Sequence, residues 1–87
     1  MRRSKQYHLR NVADTYFLYP SGEADKNEHK LIFLNETSAF LWQKMEDCCE
    51  VDYLVDMLMA KYNINVDIVS EDVSNFIKFL VNNGCID

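Results

Sequence analysis

The segment LNETSAFLW at residues 34–42 decides how this chain folds. It opens with an apolar residue and Asn35, whose side chain is well suited to cap the start of a helix. Leu41 and Met45 are spaced at i and i+4, with Trp42 beside them, so these apolar side chains lie on one helical face. The segment therefore predicts a first helix that runs from Asn35 to about Glu46.

A second segment, DVSNFIKFLVNNGCI at residues 72–86, belongs to another helix. That helix is predicted to start at about Asp67 or Ser70 and to stop at Asn83–Gly84, because glycine tolerates the left-handed conformation that ends a helix. Phe79 lies off its inward stripe and marks either a groove or an ordinary exposed side chain. The stripe comprises Val69, Val73, Phe76, Ile77 and Leu80.

Between these segments, residues 51–62 carry apolar side chains at helical spacing. They predict a helix from Val51 to Tyr62. Asn63 and Asn65 then interrupt the pattern, and Ile64 between them is expected to plug the core.

The first third of the chain has the composition of strands. Tyr7–Val12 and Thr15–Tyr19, separated by Ala13–Asp14, predict a hairpin. Residues 20–29 are polar and predict a loop, and Lys30–Leu34 predicts a third strand. Strands followed by helices indicate an α+β fold, and 87 residues indicate a single domain over residues 1–87.

The net charge of −5 argues against a protein that binds duplex nucleic acid, because such proteins need a basic face. No apolar run approaches the roughly 20 residues of a membrane span, so no membrane association is expected. The basic N-terminus lacks the apolar stretch of a secretion signal. An odd count of three cysteines is unlike a secreted disulfide framework, and a cytoplasmic protein with free thiols is expected.

Residues that could carry out chemistry are few. His8 and His29 have no acid or nucleophile at a suggestive spacing, and there is no phosphate-binding loop. The adjacent Cys48 and Cys49 cannot easily reach one zinc ion, and they do not form the Cys-x-x-Cys motif of a small redox protein. No catalytic residue, metal or cofactor is therefore expected.

The predicted strand Lys30–Leu34 could bind a partner chain rather than carry out catalysis. Two strands of a three-stranded sheet are edges, and an edge presents unpaired N–H and C=O groups to a second chain. An extended peptide can add to such an edge, although most edges are simply protected from partners.

The two segments at residues 34–42 and 72–86 together resemble the family of coenzyme PQQ synthesis protein D, also called RiPP recognition elements. The resemblance implies a winged-helix-like fold in which a three-stranded antiparallel sheet precedes a three-helix bundle. It also implies a non-catalytic domain that binds the leader segment of a ribosomally made precursor peptide by strand addition. The implied partner is a modifying enzyme of the radical S-adenosylmethionine (radical SAM/SPASM) type, in the biosynthesis of PQQ or of another peptide product.

The resemblance also implies where the leader peptide lies. One side of its cleft would be the third strand and the other side the third helix. The implied contact residues are Lys30, Leu31, Ile32, Phe33, Asp72, Asn75, Phe76, Phe79 and Asn82. Leu34, Leu41, Trp42, Leu54 and Leu58 match core positions. The chain departs from the family at Cys48–Cys49, where glycine is frequent, and at Glu50, where Thr or Ser is usual.

Two further hypotheses concern partners. A winged-helix DNA-binding transcription regulator is the alternative function, but its third helix would carry Asp67, Glu71 and Asp72 against Lys78 and would repel phosphate. A homodimer that forms by pairing of free strand edges is a further expectation.

Overall fold

The order of elements follows the predicted change from strands to helices. The computed structural model describes residues 1–20 and 31–86. Its elements are β1 (Tyr7–Val12), β2 (Thr15–Pro20), β3 (Ile32–Leu34), α1 (Glu36–Lys44), α2 (Val51–Lys61) and α3 (Val66–Asn82). The α+β arrangement is thereby confirmed. Of the loop predicted over residues 20–29, Pro20 instead belongs to β2. The remaining residues 21–29, and Lys30 at the start of the predicted third strand, lie outside the described residues.

The strands β1 and β2 form the predicted hairpin. They are antiparallel, and the pair Val12↔Thr15 closes a two-residue turn at Ala13 and Asp14. Both turn residues have positive φ, 51° at Ala13 and 66° at Asp14. A type I′ turn requires this conformation, because its twist matches that of the strands it joins.

The sheet has the order β1-β2-β3, and β3 pairs antiparallel with β2. Its central strand carries Leu18, which is fully buried, and β3 contributes the buried Ile32 and Leu34 to the same core. The helices therefore cover the face of the sheet from which these side chains project.

The first helix begins where the sequence predicts. The Asn35 Oδ1 atom accepts a hydrogen bond from the Ser38 backbone N–H at 2.8 Å. Leu41, Trp42 and Met45 are each at most 2% exposed, so the predicted apolar face is the core face. The helix ends at Lys44, two residues before the predicted Glu46.

The third helix begins earlier than predicted. Asn65 Oδ1 accepts a hydrogen bond from the Asp67 N–H at 2.8 Å, so Asn65 is the cap and the helix starts at Val66. The prediction that Ile64 plugs the core is wrong, since its side chain is 36% exposed. The Ile64 N–H bonds to the Tyr62 carbonyl at 3.1 Å, and this turn leads directly into the Asn65 cap. None of the helices in the described parts of the chain is long and apolar enough to cross a membrane.

The two ends of the described chain meet. Gly84 has φ 73° and stops α3, as predicted, and the Cys85 N–H bonds back to the Leu80 carbonyl at 2.9 Å. The Ser4 N–H then donates to the Cys85 carbonyl at 2.8 Å, and Arg3 forms an antiparallel bridge with Ile86. Cys85 is fully buried, as the sequence predicts for a small core residue.

Arg3 ties this closure to α1. Its guanidinium lies 5.0 Å from the centroid of the Trp42 ring, and its Nη1 donates to the Trp42 carbonyl at 3.0 Å. Its Nη2 lies 4.0 Å from the Glu46 carboxylate. A cation over an aromatic face is stabilising. Through Arg3, the N-terminal segment therefore packs against Trp42.

The hairpin turn predicts a stabilising substitution. Ala13→Asn should raise the free energy of unfolding by about 0.5–1 kcal/mol, because asparagine adopts positive φ at lower cost than alanine. Urea unfolding measures the change. Ala13→Val is the control and should lower stability, since a branched side chain is disfavoured at positive φ. Equal effects of both substitutions would contradict the turn conformation.

Cys85 predicts a pH dependence. Burial raises the pKa of its thiol from the ordinary 9.0 to about 11. Between these values the unfolded chain has lost the proton and the folded chain retains it, so stability falls as the pH rises. Chemical denaturation from pH 8 to pH 11 should show this fall, and Cys85→Ala should make the slope less steep. Identical slopes for the two proteins would contradict the shift.

Candidate functional site

The third strand has one unpaired side. On its paired side Leu34, Phe33 and Ile32 oppose Tyr16, Phe17 and Leu18 of β2, respectively. Within residues 1–20 and 31–86, no strand pairs with its other side. Backbone N–H and C=O groups on an open edge can pair with another extended chain.

Alternation along β3 divides its side chains between two faces. Ile32 and Leu34 point into the core and are 5% and 9% exposed, whereas Phe33 between them is 66% exposed. The Phe33 side chain therefore lies on the outer face of the sheet, opposite to Ile32 and Leu34, at the edge that borders α1 and α3.

Phe33 is the end of a row of rings across that outer face. Its ring centroid lies 6.1 Å from that of Phe17, which lies 6.4 Å from Tyr19. Tyr19 in turn lies 5.6 Å from His8 on β1. Because such pairs stabilise neighbouring strands, the row would extend to any aromatic or apolar side chain on a strand added beside Phe33.

A cleft of about 530 Å³ lies between β3, the first turn of α1 and α3. Its deepest lining residues, Leu41, Leu58 and Val69, are core residues that form an apolar floor. Around the floor stand Phe33, Leu34, Asn35, Thr37, Ser38, Ile64, Asp72, Asn75, Phe76 and Phe79.

The α3 wall of the cleft follows from the helical repeat. Asp72, Asn75, Phe76 and Phe79 are spaced at i, i+3, i+4 and i+7, so they share one face of α3. Phe76 also belongs to the inward stripe and is 9% exposed, whereas Phe79 is 42% exposed. The sequence left open whether Phe79 marks a groove or is an ordinary exposed side chain. Because Phe79 lines the cleft, the structure favours the groove.

Asp72 is the single charged side chain among the described residues that line the cleft. It is exposed, and the ion pair found in the described parts of the chain joins Arg3 to Glu46 and not to Asp72. The Asn35 side chain already accepts the Ser38 N–H, so it is committed to the helix cap. The cleft is thus apolar at its floor and carries one negative charge at its α3 wall.

The structure brings together five of the predicted contact residues: Phe33, Asp72, Asn75, Phe76 and Phe79. Leu31 and Asn82 are exposed and Ile32 is buried, and none of these three lines the cleft. Lys30 lies outside the described residues.

Sequence reasoning missed the contribution of α1. Asn35, Thr37 and Ser38 line the cleft because α1 starts immediately after β3, so its first turn stands beside the strand. The Asn35 cap is recognisable in the sequence, and it predicts that the first turn of α1 lies next to the end of β3.

A second cavity, of about 580 Å³, lies at the N-terminal segment and the end of α1. Its charged groups are Arg2, Arg3 and Lys5 on one side and Glu46 and Asp47 on the other. The Arg3 guanidinium is already engaged by Trp42 and Glu46, so this cavity belongs to the closure of the chain.

The three cysteines, Cys48, Cys49 and Cys85, are free thiols. Cys49 and Cys85 are buried, and burial raises the pKa of both thiols. The Cys49 thiol donates to the Met45 carbonyl at 3.4 Å. In the described ranges, no three His, Cys, Asp or Glu side chains are close enough to hold a metal ion.

Comparisons with known proteins give two matches. The family model of "Coenzyme PQQ synthesis protein D (PqqD)" matches residues 17–86. The solved structure "TbiB1 in Complex with the TbiA(beta) Leader Peptide" is similar with a TM-score of 0.80 and 18% sequence identity, over 100% of this chain and 95% of that chain. At this identity the likeness is one of fold. No curated protein matches the sequence.

The two phenylalanines of the α3 wall predict different costs of truncation. Phe76→Ala should lower the free energy of unfolding by about 3–5 kcal/mol, because it empties a core position. Phe79→Ala should cost about 1 kcal/mol or less, since the side chain is partly exposed and alanine favours the helix. Urea unfolding of both variants measures the difference. Equal large losses would mean that Phe79 is a core residue and not part of an open wall.

Proposed function

The chain belongs to the family of coenzyme PQQ synthesis protein D, and on that premise we propose that it binds the leader segment of a ribosomally made precursor peptide. In this proposal it presents the peptide to a modifying enzyme and makes or breaks no bond itself. The observation that carries the proposal is the open edge of β3 beside an apolar cleft.

Strand addition supplies the affinity. The leader would lie along β3 in an extended conformation, and its backbone would pair with the N–H and C=O groups of the open edge. The similar solved structure, TbiB1, is described in complex with a leader peptide. This description supports the same kind of occupant for the cleft of this chain.

The faces of the added strand would supply the selectivity. Its side chains alternate between the two faces of the sheet, as those of β3 do. Inward side chains would enter the cleft between Leu34 and the aromatic residues Phe76 and Phe79. Outward side chains would lie beside Phe33, at the end of the outer aromatic row.

Presentation would work through proximity. A domain that holds the leader and also contacts the enzyme raises the local concentration of substrate at the active site. The enzyme in this proposal is of the radical SAM/SPASM type. The compartment is the cytoplasm, where ribosomal products are made.

The DNA-binding alternative has no support. A recognition helix must approach phosphates with positive charge. Glu71 and Asp72 are exposed on α3 beside the exposed Lys78, so the helix surface is on balance acidic.

The test of strand addition is a titration of isotope-labelled protein with a synthetic leader segment, taken from the precursor-like peptide encoded nearest to this gene. The amide signals of Ile32, Phe33 and Leu34 and those of the α3 wall should shift. Peptides that carry single backbone N-methyl groups should then bind in an alternating pattern, because every second N–H of an added strand points at its neighbour. Uniform tolerance of N-methylation would contradict strand addition. If neither this peptide nor a random-library peptide binds, the proposed function fails.

Truncation of Phe79 tests the cleft. Phe79→Ala should weaken binding of the leader peptide about tenfold, which corresponds to about 1.4 kcal/mol of lost apolar contact. Isothermal titration measures the change. Val81→Ala is the matched control, since Val81 is 52% exposed on the same helix and does not line the cleft. Equal losses for the two variants would contradict a binding role for Phe79.

A further inference from the structure

The cleft also indicates the chemistry of the segment that it takes. Resting on the proposed function, we propose that the bound leader segment carries a lysine or arginine that pairs with Asp72, next to an apolar residue that enters the cleft. Asp72 would thus select the peptide rather than merely shape the helix.

The first argument is the charge of the lining. Among the described residues that line the cleft, Asp72 is the single ionisable group, and the other polar side chains belong to Asn35, Thr37, Ser38 and Asn75. Among these lining residues, a peptide carboxylate would meet a negative charge and no positive one. A peptide ammonium or guanidinium would meet a carboxylate at the wall.

The second argument is that, within residues 1–20 and 31–86, the ion pair joins Arg3 to Glu46 and no cation pairs with Asp72. Lys44 and Lys61 lie 5.6 Å and 4.6 Å from the centroid of the Phe40 ring. Arg3 is engaged by Trp42 and Glu46. Lys78 follows Asp72 by six residues, about one and two-thirds turns, and therefore projects from another side of α3. As far as the described parts of the chain show, the Asp72 carboxylate therefore has no cationic partner of its own.

The third argument is spacing. Asp72 and Phe76 are one turn apart on α3, a rise of about 6 Å. Two residues of an extended strand span about 6.6 Å, which is the repeat of side chains on one face. A peptide that runs along α3 would therefore place a basic residue at Asp72 and an apolar one at Phe76, two positions apart.

The expected contribution of the ion pair between Asp72 and the peptide depends on how far the cleft excludes water. An ion pair on an open surface contributes little, because water screens both charges. The apolar floor and the aromatic side chains Phe76 and Phe79 reduce access of water to this pair when the peptide is bound. A tenfold effect on affinity is therefore the expected magnitude.

The experiment starts from a display library of random 12-residue peptides, selected on the full chain. Enriched sequences should combine lysine or arginine with an apolar residue two positions away. Asp72→Asn should weaken binding of one such synthetic peptide about tenfold, and replacement of its basic residue by norleucine should have the same effect. The two changes together should cost no more than either alone. Asp72→Lys should shift the selection towards acidic peptides.

Glu71→Gln is the matched control. It removes the same charge at the neighbouring position of α3, but Glu71 does not line the cleft. Its binding should equal that of the unaltered chain. Equal losses for Asp72→Asn and Glu71→Gln would mean that basic peptides respond to the overall charge of −5, and the proposal would be overturned.

The remaining outcomes separate the inference from the proposed function. Peptides that bind the cleft, shift the Phe33 and Phe79 signals and lack an excess of basic residues would overturn the inference and leave the proposed function intact. A selection in which no peptide is enriched would overturn both.

Discussion

Burial of Ile32 and Leu34 is the constraint on which the cleft depends. These two side chains hold a strand of three residues against the core, and alternation then turns Phe33 outward. Because β3 is anchored on its inner face and paired along one side, its other side is left open towards α3. Because β3 has three residues and pairs with β2 alone, its backbone pairing is small and the burial of Ile32 and Leu34 supplies the anchoring.

The helix that follows is positioned by the same anchor. Asn35 comes directly after Leu34, and its cap starts α1 without any connecting loop. The first turn of α1 consequently forms one end of the cleft, and Leu41, one turn further, reaches its floor. Phe76 completes the arrangement from α3, since it packs in the core and also faces the cleft.

Local sequence patterns predict most of the fold. They succeed where a single feature, such as a cap residue or an apolar helical face, determines the structure of a segment. The cap at Asn35, the stop at Gly84 and the apolar faces of α1 and α3 are each encoded within a few residues. The start of α3 was misjudged because Asn65 and Ser70 are both good caps, and only the turn at Ile64 decides between them. The site was harder, since whether Ile32, Phe33 or Leu31 meets the cleft depends on strand register, and register arises from pairing with distant Phe17 and Leu18.

The bridge between Arg3 and Ile86 has a consequence for how the domain can be used in larger assemblies. Residues 3 and 86 leave the domain side by side, and neither lines the cleft. A polypeptide fused before Arg3 or after Ile86 would therefore emerge from one place on the surface. Because these two positions are adjacent, the domain could also be inserted into a surface loop of a host protein. An attached segment would then leave the cleft between β3 and α3 unobstructed.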